Sequence, residues 1–199
     1  MAASSPTIFY VSHPQVRIDP EVPVPHWGLS DFGRSRVAAA RKAAWCANVR
    51  SIISSFEVKA METAAMFGEH LGVVVRAVPD MHENDRSATG FVPPAEFELL
   101  ADAFFGDPKT SVRGWERAVD AQRRMIVAFE AALAEATDAE HDVLIVGHGG
   151  VGTLLYCHLS RLEISRSHDQ GPGGGGNVIR IDRATRKVLH GWERLEELD

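Results

Sequence analysis

Cysteine is scarce in this sequence, with only Cys46 and Cys157 in a chain of 199 residues. Their spacing matches neither a zinc motif nor a disulfide framework, and both lie in apolar stretches that are typical of helices. We therefore expect two free thiols in the core and no cysteine-bound metal.

Basic residues are outnumbered by acidic ones, 21 to 27, and long apolar runs are scarce. The formal net charge is -6, which argues against broad binding to nucleic acids or to anionic membranes. No apolar run is long enough to cross a bilayer, and no basic segment precedes the first apolar run as it would in a signal peptide. From these absences we expect a cytoplasmic protein with no membrane or nucleic-acid partner.

The rest of the composition is that of a globular protein, with 45% apolar and 24% charged residues. A chain of this length can bury a sizeable core without disulfides. Because the sequence shows no internal repeat and no clear boundary, we predict a single domain over residues 1–199.

The apolar pattern predicts strands and helices in alternation, with Ser30 as the cap of the first helix. Strands are predicted over residues 7–12, 50–55, 73–78, 142–147, 177–182 and 187–195, and helices over residues 30–49, 58–72, 93–106, 115–135 and 149–162. This order indicates an α/β protein, a three-layer α/β/α sandwich with a mostly parallel central sheet. Ligands of such sheets collect beyond the carboxyl ends of the strands.

A histidine follows two of the buried-type strands. His13 comes directly after residues 7–12, and His148 comes directly after residues 142–147. If both strands are central and parallel, the two imidazoles meet at one edge of the sheet. Gly149 then opens a helix whose first backbone amides favour an anion. A single histidine at a strand end is usually structural, but the pair beside a helix N-terminus predicts a phosphate site.

Two loops are of interest for function. The polar loop over residues 79–92 is too charged for the core and too long for a simple turn, so it is a candidate functional loop. The glycine-rich loop over residues 169–177 lacks the Gly-Lys-Ser/Thr ending of a nucleotide-binding loop. We interpret this second loop as a tightly turning connector at the rim of the pocket.

The motifs, taken in order, resemble those of the histidine phosphatase, or phosphoglycerate-mutase-like, superfamily. That family shows a strand followed by Arg-His-Gly, a Leu-Thr/Ser-x-x-Gly block, a Ser-x-Leu-x-Arg-Ala block, a Leu-x-Glu element and a strand into His-Gly-Gly. The matching stretches here are Ser12-His13-Pro14, "LSDFG" at 29–33, "SFEVKAMETA" at 55–64, "MHE" ending at Glu83, and "LIVGHGGV" around His148. The resemblance spans most of the chain and implies a phosphoglycerate-mutase-like fold.

The resemblance also implies a mechanism that needs no metal or other cofactor. His13 attacks the phosphoryl group and becomes phosphohistidine, which water then hydrolyses. His148 stabilises the charge on the phosphoryl oxygens in flight. Glu83 protonates the leaving oxygen and later activates water, so it must stay protonated part of the time. Read without the resemblance, Glu83 is an ordinary solvated carboxylate of the loop.

The motifs depart from the family where arginine normally holds the phosphate. Ser12 replaces one such arginine and Lys59 the other, and Pro14 replaces a glycine and lacks an N–H donor. We expect Ser12, Lys59 and Gly149 to contact the substrate. We also expect Arg17, or else Arg86, to supply the missing guanidinium, with Arg17 favoured because it shares the first loop with His13.

The leading hypothesis is therefore a phosphomonoester hydrolase that acts through phosphohistidine on a small phosphorylated substrate. One alternative is a phosphoglycerate-mutase-type phosphotransferase, and another is a degenerate member that only binds a phosphorylated ligand. A metal hydrolase that uses His13, His148 and Glu83 ranks last, because the sequence has no compact His-x-His or His-Glu-x-x-His pair. A homodimer is left open.

Overall fold

The computed structural model describes residues 5–136 and 138–198 and is built around one six-stranded sheet. Its strands are β1 (Thr7–Ser12), β2 (Val49–Ser55), β3 (Val75–Val78), β4 (Asp142–Gly147), β5 (Asn177–Asp182) and β6 (Val188–Arg194). They lie in the order β3-β2-β4-β1-β5-β6. The predicted strands are therefore all present, with bounds that differ by no more than two residues.

The central strands are parallel, as the sequence predicts. β1, β2, β3 and β4 run in one direction, whereas β5 is antiparallel to β1 and forms a hairpin with β6. β1 and β4 are neighbours, and their last residues, Ser12 and Gly147, are paired in register. Because the two strands end at the same level, the residues that follow them emerge side by side.

Helices cover both faces of the sheet. They are α1 (Asp31–Ala40), α2 (Val58–Leu71), α3 (Pro94–Gly106), α4 (Ala118–Glu135) and α5 (Gly149–Leu159). One apolar core joins α1 and α2 to the sheet face that carries Phe9 and Val11, and a second core joins α3, α4 and α5 to the face that carries Ile8 and Tyr10. Alternate residues of β1 thus point to opposite layers, which confirms the predicted α/β/α sandwich.

The first helix is shorter than predicted. It begins after Ser30, whose Oγ accepts the Gly33 N–H at 3.1 Å as expected of an N-cap. It ends at Ala40 rather than continuing to residue 49. The reason is Trp45, which packs on Phe9 with ring centroids 4.7 Å apart. The chain must turn inward to bury this indole before β2 begins.

Other sequence expectations concern the thiols and the membrane. Cys46 and Cys157 are both buried free thiols. Across residues 5–136 and 138–198, every helix is too short or too polar to traverse a lipid bilayer.

Candidate active site

The two imidazoles that follow β1 and β4 lie against each other. The ring centroids of His13 and His148 are 5.3 Å apart, and the ring planes meet at 73°. The His13 N–H continues the sheet by donating to the Gly147 carbonyl at 3.0 Å. Adjacent parallel strands thus bring together two residues that are far apart in the sequence.

His13 is oriented by its own loop. Its Nδ1 lies 2.8 Å from the Pro14 carbonyl oxygen. Because a carbonyl oxygen only accepts, Nδ1 carries the proton and Nε2 keeps its lone pair. Burial, reinforced by His148 and Lys59, lowers the pKa of His13 from 6.5 to about 3. The ring is therefore neutral, with Nε2 available as a nucleophile.

The glycine-rich loop braces the backbone of His13. Gly175 has a φ of +82°, and a Cβ there would collide with the His13 carbonyl oxygen. The Gly176 N–H donates to the carbonyls of both Ser12 and His13 at 3.1 Å. The buried Arg36 guanidinium in turn donates to the carbonyls of Gly175 and Gly176 at 2.7 and 2.9 Å. The loop is therefore a tight turn that packs directly against the backbone of His13.

His148 is completely buried and is held at several points. The Tyr10 hydroxyl donates to its carbonyl at 3.0 Å and accepts its N–H at 3.1 Å. Its Nε2 lies 2.8 Å from Ser55 Oγ and 3.6 Å from Glu57 Oε1. Its Nδ1 is buried and has no hydrogen-bond partner among the described residues. Nδ1 is therefore a buried polar atom whose hydrogen-bonding capacity is unused among the described residues.

The charges beside His148 form a buried ion pair. The Lys59 Nζ donates to Glu57 Oε2 and, at 2.8 Å, to the Val24 carbonyl. Burial raises the pKa of Glu57, but the charges of His148, in its protonated form, and of Lys59 outweigh it and bring the pKa down to about 2. Burial also lowers the pKa of Lys59, against the attraction of Glu57. The ammonium of Lys59 is thus engaged within the protein.

Burial governs the titration of His148 too. It lowers the pKa of His148 from 6.5 to about 3, although Glu57 acts in the opposite direction. Lys59 and Arg86 add to the lowering. His148 is consequently neutral in the ligand-free protein. Because the Glu57 carboxylate faces Nε2, the Nε2–H tautomer is favoured.

Glu83 occupies the helix N-terminus for which the sequence predicts a phosphate. Its carboxylate accepts the N–H groups of Gly150 at 3.1 Å and Val151 at 3.0 Å, together with that of Asn84 at 3.0 Å. A Cβ at residue 150 would lie 2.7 Å from Glu83 Oε1, so glycine is needed for this approach. The Glu83 N–H donates to Glu57 Oε1 at 2.9 Å, which links the loop to the buried ion pair.

Ser12 is buried and supports a neighbouring amide. Its Oγ accepts the Asn177 N–H at 3.1 Å and donates to Gln170 Oε1 at 2.5 Å. The Asn177 side-chain amide donates to the same Gln170 oxygen at 3.1 Å. Two donors therefore fix Gln170 so that its Nε2 lies at the start of α5, where a Cβ on Gly149 would collide with it. The short side chain of Ser12 leaves room for this arrangement.

The carboxyl edge of the sheet opens into a cavity of about 990 Å³. Its lining includes His13, Glu83, Arg86, Gly149 and Gln170. We call this space the catalytic cavity.

The two arginines named from the sequence are placed differently. Arg86 lines the catalytic cavity, and its guanidinium carbon lies 5.0 Å from the ring centroid of Phe97 and 5.6 Å from that of Trp115. Arg17 is exposed and lies outside the set of described residues that line the cavity. The geometry thus brings Arg86, and not Arg17, to the space in front of His13.

Sequence reasoning missed Glu57 and Gln170. The signal for Glu57 is an acidic residue where the family block has leucine, in "SFEVKA". Gln170 carries no motif of its own, and only the folded chain brings it to Ser12. Among the described residues no group of three His, Cys, Asp or Glu side chains is arranged to hold a metal ion.

Comparison with known proteins defines the class of protein. Residues 17–193 match the model of the histidine phosphatase superfamily (branch 1). The chain therefore belongs to this superfamily and is an enzyme of the histidine phosphatase class. The matched range begins after His13, so the Ser12-His13-Pro14 segment lies outside it.

Three individual proteins show how similar the chain is to known members of this class. A glucosyl-3-phosphoglycerate phosphatase of Mycobacterium tuberculosis is 28% identical over 160 residues, which are 75% of this chain and 71% of that protein. The structure of a mycobacterial glucosyl-3-phosphoglycerate phosphatase with inorganic phosphate has a TM-score of 0.76 at 20% identity, covering 98% of this chain and 100% of that one. YhfR of Bacillus stearothermophilus has a TM-score of 0.78 at 20% identity, covering 98% of each chain. These structures confirm the phosphoglycerate-mutase-like fold.

Proposed function

We propose that this chain hydrolyses a small phosphomonoester through a phosphohistidine formed at His13. The observation that carries the proposal is the orientation of His13, whose Nδ1 is bonded to the Pro14 carbonyl while Nε2 keeps its lone pair. His13 lines a cavity that also contains Glu83, and its ring packs against the buried ring of His148. The phosphatase names of its relatives support the same reaction.

The reaction proceeds in two displacements. In the first, His13 Nε2 attacks phosphorus, the P–O bond to the leaving group breaks, and protonated Glu83 gives its proton to the leaving oxygen. In the second, Glu83 takes a proton from water, the water oxygen attacks phosphorus, and the P–N bond breaks. Inorganic phosphate is released and His13 returns to its neutral form. Neither displacement requires a metal or another cofactor.

Glu83 must change its protonation state during this cycle. In the free protein its carboxylate is bonded to three backbone N–H groups at the start of α5. A phosphoryl dianion that enters the cavity competes for these donors and repels the carboxylate. Substrate binding therefore frees the Glu83 carboxyl group from these donors, so that it can turn to the leaving oxygen.

His148 stabilises the transferring group with support from Glu57. Its buried Nδ1 has no partner among the described residues, so a phosphoryl oxygen is its natural ligand. Donation from Nδ1 requires the imidazolium when Nε2 already carries a proton. The Glu57 carboxylate, 3.6 Å from Nε2, stabilises that charged form once an anion is present.

Arg86 and Gln170 are proposed to hold the phosphoryl oxygens in place of the two missing arginines. Arg86 supplies charge from the cavity wall. Gln170 supplies a neutral donor whose direction is fixed by Ser12 and Asn177. Ser12 and Lys59 then act mainly by positioning, because Ser12 anchors Gln170 and Lys59 neutralises Glu57.

A trapping experiment tests the proposal. The protein is mixed with 4-nitrophenyl phosphate and quenched, and peptides are searched for acid-labile phosphate. We expect phosphohistidine at residue 13 and a loss of turnover of at least about a thousandfold in His13→Ala. The control is His158→Ala on the exposed face of α5, which should keep full activity.

Three results would count against hydrolysis by this route. Turnover that survives His13→Ala rules out the covalent intermediate. Tight binding of inorganic phosphate without turnover of any ester favours a non-catalytic binder. Appearance of a new phosphorylated alcohol rather than free phosphate favours a phosphotransferase.

A further inference from the structure

A second cavity adjoins the catalytic cavity. It has a volume of about 410 Å³, within the range of pockets that hold small organic ligands. We call it the side cavity. The two cavities have wall residues in common, namely Ile18, Arg86, Phe97, Glu98 and Gly174. A molecule whose phosphoryl group lies at His13 can therefore extend into the side cavity past Arg86.

The wall of the side cavity is aromatic and aliphatic. The residues found in its wall but not in that of the catalytic cavity are Val24, Trp27, Gly90, Phe91, Val92, Pro94 and Trp115. Trp27 and Phe91 pack against each other with ring centroids 5.8 Å apart and ring planes tilted by 58°. Aromatic rings placed in this way offer broad apolar contact to a ligand.

The polar atoms of these indoles are already used. The Trp27 Nε1 donates to the carbonyls of Asp19 and Val22, both at 2.9 Å. The Trp115 Nε1 donates to Thr89 Oγ1 at 2.8 Å. Each indole thus presents ring carbons to the cavity and no free donor. A ligand with many hydroxyl groups would lose its bonds to water here and gain few in return.

The cations near the side cavity are also committed. Arg166, in the wall of the catalytic cavity, is paired with Glu98 and Asp102 on α3. Arg86 is the cation common to both cavities, and in the proposed function it binds the phosphoryl group. A carboxylate on the leaving group would therefore meet Glu98 rather than a free cation.

We propose that the side cavity binds an apolar, uncharged leaving group of the substrate. This inference rests on the proposed phosphatase function and names the substrate class for it, a phosphomonoester of a hydrophobic alcohol or phenol. The substrate thus differs in character from the glucosyl-3-phosphoglycerate in the name of the mycobacterial relative. Arg86 divides the two regions, because it faces the phosphate on one side and the Phe97 and Trp115 rings on the other.

A homologous series of n-alkyl phosphates from ethyl to octyl tests the substrate class. Chain length changes the apolar area but leaves the chemistry of the leaving oxygen nearly constant. We expect kcat/KM to rise by up to about fourfold for each added methylene until the cavity is filled. We expect 3-phosphoglycerate and glucose 6-phosphate to be turned over less well than hexyl phosphate. A flat series, or a preference for 3-phosphoglycerate, overturns the inference.

A variant in the wall of the side cavity tests whether the dependence of kcat/KM on chain length arises there. Phe91→Ala removes a wall residue of the side cavity that does not line the catalytic cavity; Phe91 also borders a further cavity of about 560 Å³. We expect it to lower kcat/KM for octyl phosphate at least about tenfold and to leave ethyl phosphate nearly unchanged. The matched control is Phe32→Ala, where the phenylalanine is 63% exposed on α1. An equal loss for both esters in Phe91→Ala contradicts the assignment.

Binding of n-alkylphosphonates separates this inference from the proposed function. Phosphonates cannot be hydrolysed, so their dissociation constants report the side cavity even if the chain turns over no ester. Affinity that rises with chain length and falls in Phe91→Ala supports the subsite, whereas affinity independent of chain length refutes it. Absence of turnover with chain-length-dependent binding refutes only the hydrolysis.

Discussion

Glu57 Oε1 lies 3.6 Å from the Nε2 of His148, and both side chains are buried. The other carboxylate oxygen of Glu57 pairs with Lys59. The second imidazole of the site is therefore coupled to a buried carboxylate whose charge is already balanced. This arrangement permits His148 to be neutral in the free protein and to accept a proton when an anion enters.

Replacement of Glu57 by glutamine separates its two roles. Glu57→Gln leaves the Lys59 ammonium buried without a counter-charge, which we expect to cost about 3 kcal/mol of unfolding free energy. It also removes the charge that supports a protonated His148, so kcat should fall by about ten- to a hundredfold. Chemical denaturation and steady-state kinetics measure the two effects.

The double variant Glu57→Gln/Lys59→Met is the control. Removal of both charges should recover most of the stability but not the activity. If activity returns together with stability, Glu57 serves only the fold, and its proposed effect on His148 is wrong.

The buried imidazole also predicts how stability depends on pH. The pKa of His148 is 6.5 in its ordinary state and about 3 in the folded protein. Below pH 6.5 the unfolded chain takes up a proton that the folded chain does not, so stability falls as the pH falls towards 3. The slope from this residue should be of the order of 1 kcal/mol for each pH unit.

Titration of Glu57 extends the loss of folding stability to more acidic pH. Its pKa is lowered from 4.5 to about 2, so the stability it gives is complete above pH 4.5 and disappears as the pH falls towards 2. Urea denaturation at a series of pH values should show a shallower slope between pH 6.5 and 4.5 in His148→Asn. The exposed His158→Asn serves as control and should keep the slope of the wild type. Identical slopes in all three proteins would falsify this account.

Much of the framework of the site could be predicted from the sequence. Two apolar strands, each followed directly by a histidine, sufficed to predict that His13 and His148 would meet, because parallel neighbours end at the same edge. The continuous apolar pattern of residues 7–12 and 142–147 indicates two strands that are buried on both faces. In the structure these strands are neighbours and end at the same level, with Ser12 paired with Gly147.

The residues that surround these histidines and hold them in place could not be predicted in the same way. A glutamate and a lysine near a helix start look like a solvated face, and only tertiary packing buries Glu57 and Lys59 together. The glycines at the start of α5 predict a phosphate there because a helix N-terminus favours any anion. In the structure Glu83 from a distant loop accepts from the same N–H groups. Local patterns carry no information on such contacts between separate segments.

Gln170 gives a test of how this site replaces an arginine. Gln170→Glu keeps the oxygen that accepts from Ser12 and Asn177 but exchanges the Nε2 donor for a second, negatively charged oxygen. We expect the inhibition constant of inorganic phosphate to rise at least about tenfold, since a donor is lost and a repulsive charge is added. The control Asn48→Asp makes the same change at an exposed residue just before β2, at the opposite edge of the sheet. Unchanged phosphate affinity in Gln170→Glu would remove this residue from the site.

Arg86 and Arg17 are the two candidates for the guanidinium that holds the phosphoryl group, and replacing each by alanine compares them directly. Arg86 lies in the cavity wall and stacks over Phe97, whereas Arg17 is exposed outside that wall. Arg86→Ala should lower kcat/KM by about a hundredfold or more, because a charge-assisted bond to the phosphoryl group is lost. Arg17→Ala should change it by less than about twofold.

Arg86→Lys distinguishes charge from geometry. Lysine keeps the charge but lacks the planar fork that bonds two phosphoryl oxygens and stacks on an aromatic face. We therefore expect an intermediate loss, mostly in KM, with a partial recovery of phosphate affinity relative to Arg86→Ala. If Arg17→Ala shows the large loss and Arg86→Ala does not, the first loop must move towards His13 when substrate binds. The guanidinium that holds the phosphate would then be Arg17.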